Sequence, residues 1–460
     1  MNFIDDTIAA ISTPVGQGGI GIVRLSGQKA VSIADSVFRP LHCTRPPDAA
    51  SHRLVYGNII DPADAHVVDE ALLCVMRGPK SYTCEDVVEI NCHGGIVAMR
   101  KALELVLRQG ARIAEPGEFT KRAFLNGRLN LAQAEAVQDI ISAKTEESMK
   151  IACEQLRGGL TDKLLAVREQ LIEICAVVEA YIDFPEEDIE TGTKENFLQQ
   201  LGESRLSLLR LSATFNDARF FREGLSVAIV GRPNVGKSSL LNTLLMKDKA
   251  IVTALPGTTR DLIEDYLNIN GLPIRIMDTA GIRNSDEIIE QEGIRRSLQA
   301  IAEADFIIAL FDGSEPLRQD DRELLAVIAD KKGLIVVSKA DLEGRLSLEE
   351  IGRAGKHYLQ VSTVTGMGID DLKKAVFDAN IHGWGEGREG VVVTNIRHKA
   401  ALDRASESLQ RAEELLSENR PPELFAVEMR EALNSIGEIT GTVTTDDVLE
   451  RIFSSFCIGK

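Results

Sequence analysis

Several things this chain lacks narrow its class. No apolar run in its 460 residues approaches the roughly 20 that a membrane span needs. The first dozen residues, MNFIDDTIAAIS, carry acids where a signal peptide would carry positive charge, and no long apolar stretch follows. Basic charge is scarce: 52 Lys and Arg stand against 70 Asp and Glu, a net charge of −18. Such a mean field repels phosphates and disfavours unaided, non-specific nucleic-acid binding, so an RNA role needs a local basic patch or a basic partner. Cysteines are few and odd in number; Cys43, Cys74, Cys84, Cys92, Cys153, Cys175 and Cys457 form no C-x-x-C, the pattern of reduced thiols in a reducing compartment. Cys92 beside His93 reads as packing rather than as a metal pair. Short repeats and low-complexity tracts are absent too. These absences predict a cytoplasmic protein without a membrane segment, and the length predicts two to four domains.

What is present changes character along the chain. Residues 1–121 read as mixed α/β, with strand-like TIAAIS, GIGIVRL, ALLCVMR and DVVEINC and a helical IVAMRKALELVLRQG. Residues 122–221 turn helical, with Leu164, Val167, Leu171, Ile174 and Val178 making one apolar stripe. DFPEEDIETGT reads as a loop within that region. From 222 to 381 apolar strands alternate with helices, the signature of a mostly parallel sheet covered on both faces. HGWGEGREG then reads as a linker, and 382–460 is helical again. The expected fold class is multidomain α/β plus α: a helical domain split in sequence by an inserted phosphate-loop α/β domain.

Gly231 to Ser238 spell G-x-x-x-x-G-K-S between apolar VAIV and helix-prone SLLNTLL, the strand–loop–helix context a phosphate loop requires. Backbone N–H groups there turn around the β-phosphate, Lys237 neutralises β/γ charge, and the Ser238 hydroxyl suits magnesium. IMDTAG places Asp278 near the magnesium and Gly281 at the γ-phosphate. LIVVSKAD delivers Lys339 and Asp341 to the base, and a carboxylate there accepts from guanine's N1–H and amino group together, so the nucleotide is GTP. Ser338 stands where this motif usually has asparagine, and its shorter hydroxyl predicts weaker base affinity with specificity kept by Asp341. Ser362, Thr363 and Val364 form the last base loop. Thr259 is the natural switch threonine for magnesium. The Ras-like water-positioning Gln is absent: that position is Ile282, so water must be oriented from elsewhere.

The joint pattern GRPNVGKSS, PGTTRD, DTAGIR and terminal FCIGK, with N-terminal TIAAISTPVGQGGIGIVRLSG, resembles the bacterial tRNA-modification GTPase MnmE (TrmE) family over essentially the whole chain. The resemblance implies a potassium-activated GTPase in which Asn234, Thr253, Leu255 and Thr258 hold potassium, and Ser238 and Thr259 hold magnesium. A cation bridging phosphate oxygens stabilises charge developing in transfer. It extends the nucleotide contacts to Val235, Gly236, Ser239, Ala254, Pro256, Gly257, Thr279, Ala280 and Ala340. It assigns the catalytic water to Glu290, and implies a homodimer built through the N-terminal domain whose GTPase domains pair during hydrolysis.

It further implies that the N-terminal domain binds 5-formyl- or 5,10-methylene-tetrahydrofolate through Arg24, Glu89, Arg128 and Lys460. Arg128 replaces a lysine of some relatives. GQGGIG (Gly16 to Gly21) is a decoy for a dinucleotide fingerprint, since β-rich IGIVRL and no helix follows. Cys457 lies near the folate site in this family, with a catalytic role one reading and a structural thiol the other. Gly459 and Lys460 after it, with no polybasic stretch before it, do not fit lipidation. The implied reaction, with an FAD-dependent partner MnmG (GidA) in a heterotetramer or larger complex, adds a carboxymethylaminomethyl or aminomethyl group to carbon 5 of the tRNA wobble uridine. FAD belongs to the partner. Lys121, Arg122, Arg397 and Lys399 are the local bases tRNA could touch, solvated surface charge being the ordinary reading. Two rivals remain: an RNA-binding GTPase switch in ribosome assembly without one-carbon chemistry, and a folate-dependent transferase whose GTPase is only regulatory.

Overall fold

The computed structural model describes residues 6–41, 45–183, 194–248, 266–277, 298–352, 357–382 and 390–460. The described residues form two sheets and a helical body, a multidomain α/β plus α architecture as expected.

The first sheet contains β1 (Ile8–Ile11), β2 (Gly18–Ser26), β3 (Phe38–Pro40), β4 (Arg53–Ile60), β5 (Val67–Met76), β6 (Val87–Gly94) and β7 (Arg112–Ile113). Their order is β3-β4-β5-β6-β2-β1-β7. All neighbours are antiparallel except β1 and β7. Strand alternation decides what this sheet does, because successive side chains point to opposite faces. Val23, Leu25, Val88, Ile90, Leu73 and Val75 pack under the helices Ala30–Val37 and Ile96–Arg108. Arg24 and Glu89, lying between those apolar positions, are cross-strand partners on the other face. Ile8 and Ala10 of β1 share that second face with Ala114 and Phe119. β2 runs straight out of the glycine cluster, so no helix follows GQGGIG.

The second sheet has β8 (Leu225–Val230), β9 (Tyr266–Ile269), β10 (Leu272–Ile276), β11 (Phe306–Asp312), β12 (Gly333–Ser338) and β13 (Tyr358–Gln360) in the order β13-β12-β11-β8-β10-β9. It is parallel apart from the β9–β10 hairpin. The continuous apolar run of β8 is buried on both faces: Val227 and Ile229 enter one core, Ala228 and Val230 the other.

The helical body joins segments far apart in sequence. Leu164, Val167, Leu171 and Ile174 of the helix Gly159–Asp183 share a core with Ala401, Leu402, Ala405 and Leu409 of Ile396–Ser417 and with Met429, Ala432 and Ile436 of Pro422–Thr440. Val178 packs against the edge of this core, completing the stripe. The helix Leu131–Ser142 opens with a reciprocal capping box between Asn130 and Gln133, which satisfies two otherwise orphaned N–H groups. Its Leu131 and Ala134 pack against Leu449, Phe453 and Phe456 near the chain's end. DFPEEDIETGT and the linker lie almost wholly outside the described residues.

Candidate functional site

β8 leads into the phosphate loop, and the helix Lys237–Asp248 leaves it. Two backbone facts explain the loop's composition. A Cβ on Gly231 would fall 2.4 Å from the Leu310 carbonyl oxygen, so β11 leaves no room for a side chain there. Asn234 takes φ = +65°, a left-handed conformation that asparagine tolerates better than most residues. Asn234 is exposed and Val235 is fully buried. Lys237 arches over the loop, its Nζ donating to the carbonyls of Gly231 (2.6 Å) and Arg232 (2.8 Å). Burial lowers its pKa, so the site makes the ammonium costly to keep without anionic company. Arg232 is braced from outside by Glu315 at 2.6 Å and Asp321 at 3.3 Å.

The base side lies at the ends of β11 and β12. Lys339 has φ = +58° and donates to Asp312 at 2.5 Å. Burial pushes the Asp312 carboxyl up, but hydrogen bonds from Lys339 and Ser314 outweigh it and hold the group below its ordinary value. Asp341 accepts from the buried Ser362 hydroxyl at 2.6 Å, and that same oxygen accepts from the N–H groups of Val364 and Thr365. The Ala340 N–H donates to the Val361 carbonyl at 3.1 Å. Ser338 reaches the phosphate loop, its Oγ lying 2.6 Å from the Val235 carbonyl. Thus Asn234, Val235, Gly236, Lys237, Ser238 and Ser239 gather on one side, and Ser338, Lys339, Ala340, Asp341, Ser362, Thr363 and Val364 on the other. Thr253, Ala254, Leu255, Pro256, Gly257, Thr258, Thr259, Asp278, Thr279, Ala280, Gly281, Ile282 and Glu290 lie outside the described residues.

A second constellation forms where the two ends of the chain meet. Ile458 bridges Pro116, the Phe119 N–H donates to the Lys460 carbonyl (3.2 Å), and the Ser12 hydroxyl donates to the Gly459 carbonyl (3.1 Å). Arg24 lies over the Phe119 ring at 5.7 Å, donates to the Gly459 carbonyl at 3.2 Å, and pairs with Glu89. Arg24 uses only Oε1 of Glu89, through Nε (2.9 Å) and Nη2 (2.8 Å), which leaves Oε2 able to accept from a ligand. Burial, then the nearby Arg24 charge, lowers the Lys460 pKa, with Cys457 and Glu89 opposing. Cys457 itself is exposed. Arg128 lays its guanidinium over the Tyr82 ring at 4.7 Å and donates to the Tyr82 carbonyl. The structure therefore converges Arg24, Glu89 and Lys460 and gives Arg128 to Tyr82. Ser12 and Phe119 also hold the tail, and nothing in AIST or GEFT as sequence marks them for it.

Two bases considered for tRNA are committed elsewhere. Arg122 is 2% exposed and bonds Asp6, Glu85 and Glu118. Arg397 makes a two-pronged pair with Glu135, which also accepts from Asn395 and meets His398. Both belong to buried ion networks rather than to a surface, a distinction that net charge and spacing do not carry. Lys399 pairs with Asp403 one turn on. Cys92 and His93 point to opposite faces of β6: the thiol bonds the Gly21 carbonyl and is pushed up to about 11 by burial, while His93 turns outward to Asp69. Among the described residues no group of three or more His, Cys, Asp or Glu side chains is placed to hold a metal, and no helix is long and apolar enough to cross a membrane.

Residues 131–457 match the family model described as MnmE helical domain, and residues 7–128 match GTP-binding protein TrmE N-terminus. The tRNA modification GTPase MnmE of Carboxydothermus hydrogenoformans is 48% identical over 461 residues, spanning 99% of this chain and 100% of the relative. That of Geobacter sulfurreducens is 48% identical over the full length of both chains. Among solved structures, Aquifex aeolicus Era bound to GDP and AlF4− is 26% identical over 40% of this chain and 66% of that one, with a TM-score of 0.26. Two family models and full-length relatives at this identity place the chain in the MnmE (TrmE) family of tRNA modification GTPases.

Proposed function

We propose that this GTP hydrolase acts in tRNA wobble-uridine modification, adding an aminomethyl or carboxymethylaminomethyl group at carbon 5 together with an FAD-dependent partner of the MnmG (GidA) kind. The observation that carries the reading is the seating of the chain's last residues against Arg24 and Glu89 in the same molecule as a complete phosphate loop. The residues fit a reduced folate. Glu89 keeps an oxygen for the adjacent N–H and amino donors of a pterin, and Lys460 offers a cation for the ligand's acidic portion. A tetrahydrofolate bound there supplies the one-carbon unit, while ammonium or glycine supplies nitrogen. Arg24 and Glu89 orient the ring, and Cys457, exposed beside Lys460, is available for proton transfer or transient nucleophilic attack.

In the GTPase domain Lys237 neutralises phosphate charge, and Ser238 with Thr259 holds magnesium. Asn234, Thr253, Leu255 and Thr258 hold potassium, placing a positive charge where phosphoryl transfer develops negative charge. Glu290 orients the attacking water in place of the absent glutamine.

Two further observations support the proposed assembly. The outer face of the first sheet exposes Leu54 and Tyr56 of β4 opposite Cys74 and Leu72 of β5, an apolar patch suited to a second copy through the N-terminal domain. The helix Leu131–Ser142 touches both ends of the machine. Its Asp139 pairs at 2.8 Å with Arg222, just before β8, and its Leu131 packs near the tail through Phe453 and Phe456. That path supports coupling of nucleotide state to the folate pocket.

The deciding experiment is nucleoside analysis of tRNA from cells lacking the gene. Loss of the carbon-5 modification, restored by the wild-type gene, is expected. Full retention would overturn the reading. Folate binding is tested separately by titrating 5-formyltetrahydrofolate into the full-length protein.

A further inference from the structure

Ser338 ends β12 and stands where a longer amide side chain is usual for reading the base. Its hydroxyl is buried and lies between two backbone acceptors: the Val235 carbonyl at 2.6 Å and the Phe311 carbonyl at 3.0 Å. A hydroxyl has one proton to donate, and the shorter contact takes it. Val235 belongs to the phosphate loop. In a trans peptide the carbonyl and the following N–H point in opposite directions from one rigid plane. Fixing the Val235 carbonyl toward β12 therefore turns the Gly236 N–H away from β12, and Gly236 opens the run of amides that leads into the helix Lys237–Asp248.

The same strand end also sets the guanine side. The Gly313 N–H donates to the Ser338 carbonyl at 2.9 Å, the Ala340 N–H donates to Val361, and Ser362 fixes Asp341 three residues beyond Ser338. One hydroxyl thus links the half of the site that reads the base to the half that binds phosphate.

We infer that Ser338 is a positioning residue for the phosphate loop rather than a contact to the base, holding the Val235–Gly236 peptide in its phosphate-binding orientation. This rests on the reading of 231–238 as the nucleotide site, and it replaces the expectation that the serine acts by weakening base affinity.

The test uses full-length wild-type, Ser338→Ala and Ser338→Thr proteins, with GDP as ligand. A base contact acts only when nucleotide is bound, whereas a loop strut also acts in the empty protein, so the two give different patterns. Ser338→Ala loses one buried hydrogen bond and should weaken GDP about three- to tenfold. Hydrogen exchange at the 235–238 amides of the nucleotide-free variant should accelerate, and Ser338→Thr, which retains the hydroxyl, should restore both readouts. If the alanine variant folds poorly, Ser338→Cys, a weaker donor of similar size, gives the same comparison. Unchanged affinity in a folded variant overturns the inference, as does weaker GDP binding with wild-type exchange at those amides in the nucleotide-free protein. Wild-type protein that does not bind GDP would overturn the nucleotide site itself, a result separate from the other two.

Discussion

Gly459 offers a sharp test of how the tail completes the folate constellation. It adopts φ = +92°, and a Cβ built on it would lie 2.5 Å from the Ile11 carbonyl oxygen and 3.0 Å from the Ser12 Cα. Both obstacles are backbone at the end of β1, so no side chain can rotate aside to relieve them. Left-handed backbone costs an L-residue about 1–2 kcal/mol, and the overlap adds to that in Gly459→Ala. Opposing this are four hydrogen bonds to the tail, donated by Ser12, Arg24, Phe119 and Gly117 at 3.1, 3.2, 3.2 and 3.4 Å. At about 1 kcal/mol net each they total about 4 kcal/mol, and the long Gly117 contact contributes least. Alanine should therefore remove a large part of the tail's hold without unfolding the sheet, whose core lies on the other face.

The assay is hydrogen exchange of the Gly117 and Phe119 amides, whose acceptors are the tail carbonyls of Cys457 and Lys460. A loss of 1–2 kcal/mol lowers their protection by about five- to thirtyfold. Binding of 5-formyltetrahydrofolate should weaken by at least a similar factor, with GDP affinity unchanged. A folded variant with wild-type protection at both amides would refute the seating described here, whatever its effect on folate.

Three other perturbations probe separate parts of the molecule. Burial would raise the Glu135 carboxyl, but His398 and Arg397 hold it down to about 2. A depressed carboxyl stabilises the fold above its ordinary value of 4.5, and that contribution is lost as pH falls from there toward about 2. Glu135→Gln strands Arg397 and His398 and should cost about 3–5 kcal/mol at pH 7, with the gap narrowing below pH 4.5 in denaturant titrations; equal stability at pH 7 would remove the network from the ledger. Asn234→Gly deletes the proposed potassium ligand while accommodating φ = +65°, and should abolish potassium stimulation of GTP hydrolysis; stimulation at the wild-type level would exclude this side chain from the ion site. Glu290→Ala should lower turnover by tenfold or more with little change in GTP affinity, so a wild-type rate would leave the water to another group.

Elements with strong local signals were legible from the chain. The continuous apolar run of β8, the glycine-rich loop after it and the stripe from Leu164 to Val178 follow from backbone sterics and helical period, which neighbouring residues contain in full. β3 and β4 went unread because β3 is only three residues long and β4 exposes Leu54 and Tyr56 and carries Gly57 at its centre, so neither shows a clean apolar alternation. Arg24 and Glu89 were reached through resemblance; their pairing is a matter of register across β2 and β6, which no local stretch encodes.

The sequence by itself determined that a phosphate loop lies between a buried strand and a helix, that Lys339 and Asp341 follow a second buried strand, and that the whole is shared with full-length relatives. Tertiary structure alone decided which charges are spent inside the protein. It put Arg122 and Arg397 into buried networks, brought the last four residues back to the first strand, and turned the Ser338 hydroxyl onto Val235. The physical reason is range: turn geometry and helical period act over a few residues, whereas desolvating a charge or satisfying a buried hydroxyl depends on partners tens to hundreds of positions away, whose arrival only the complete fold fixes.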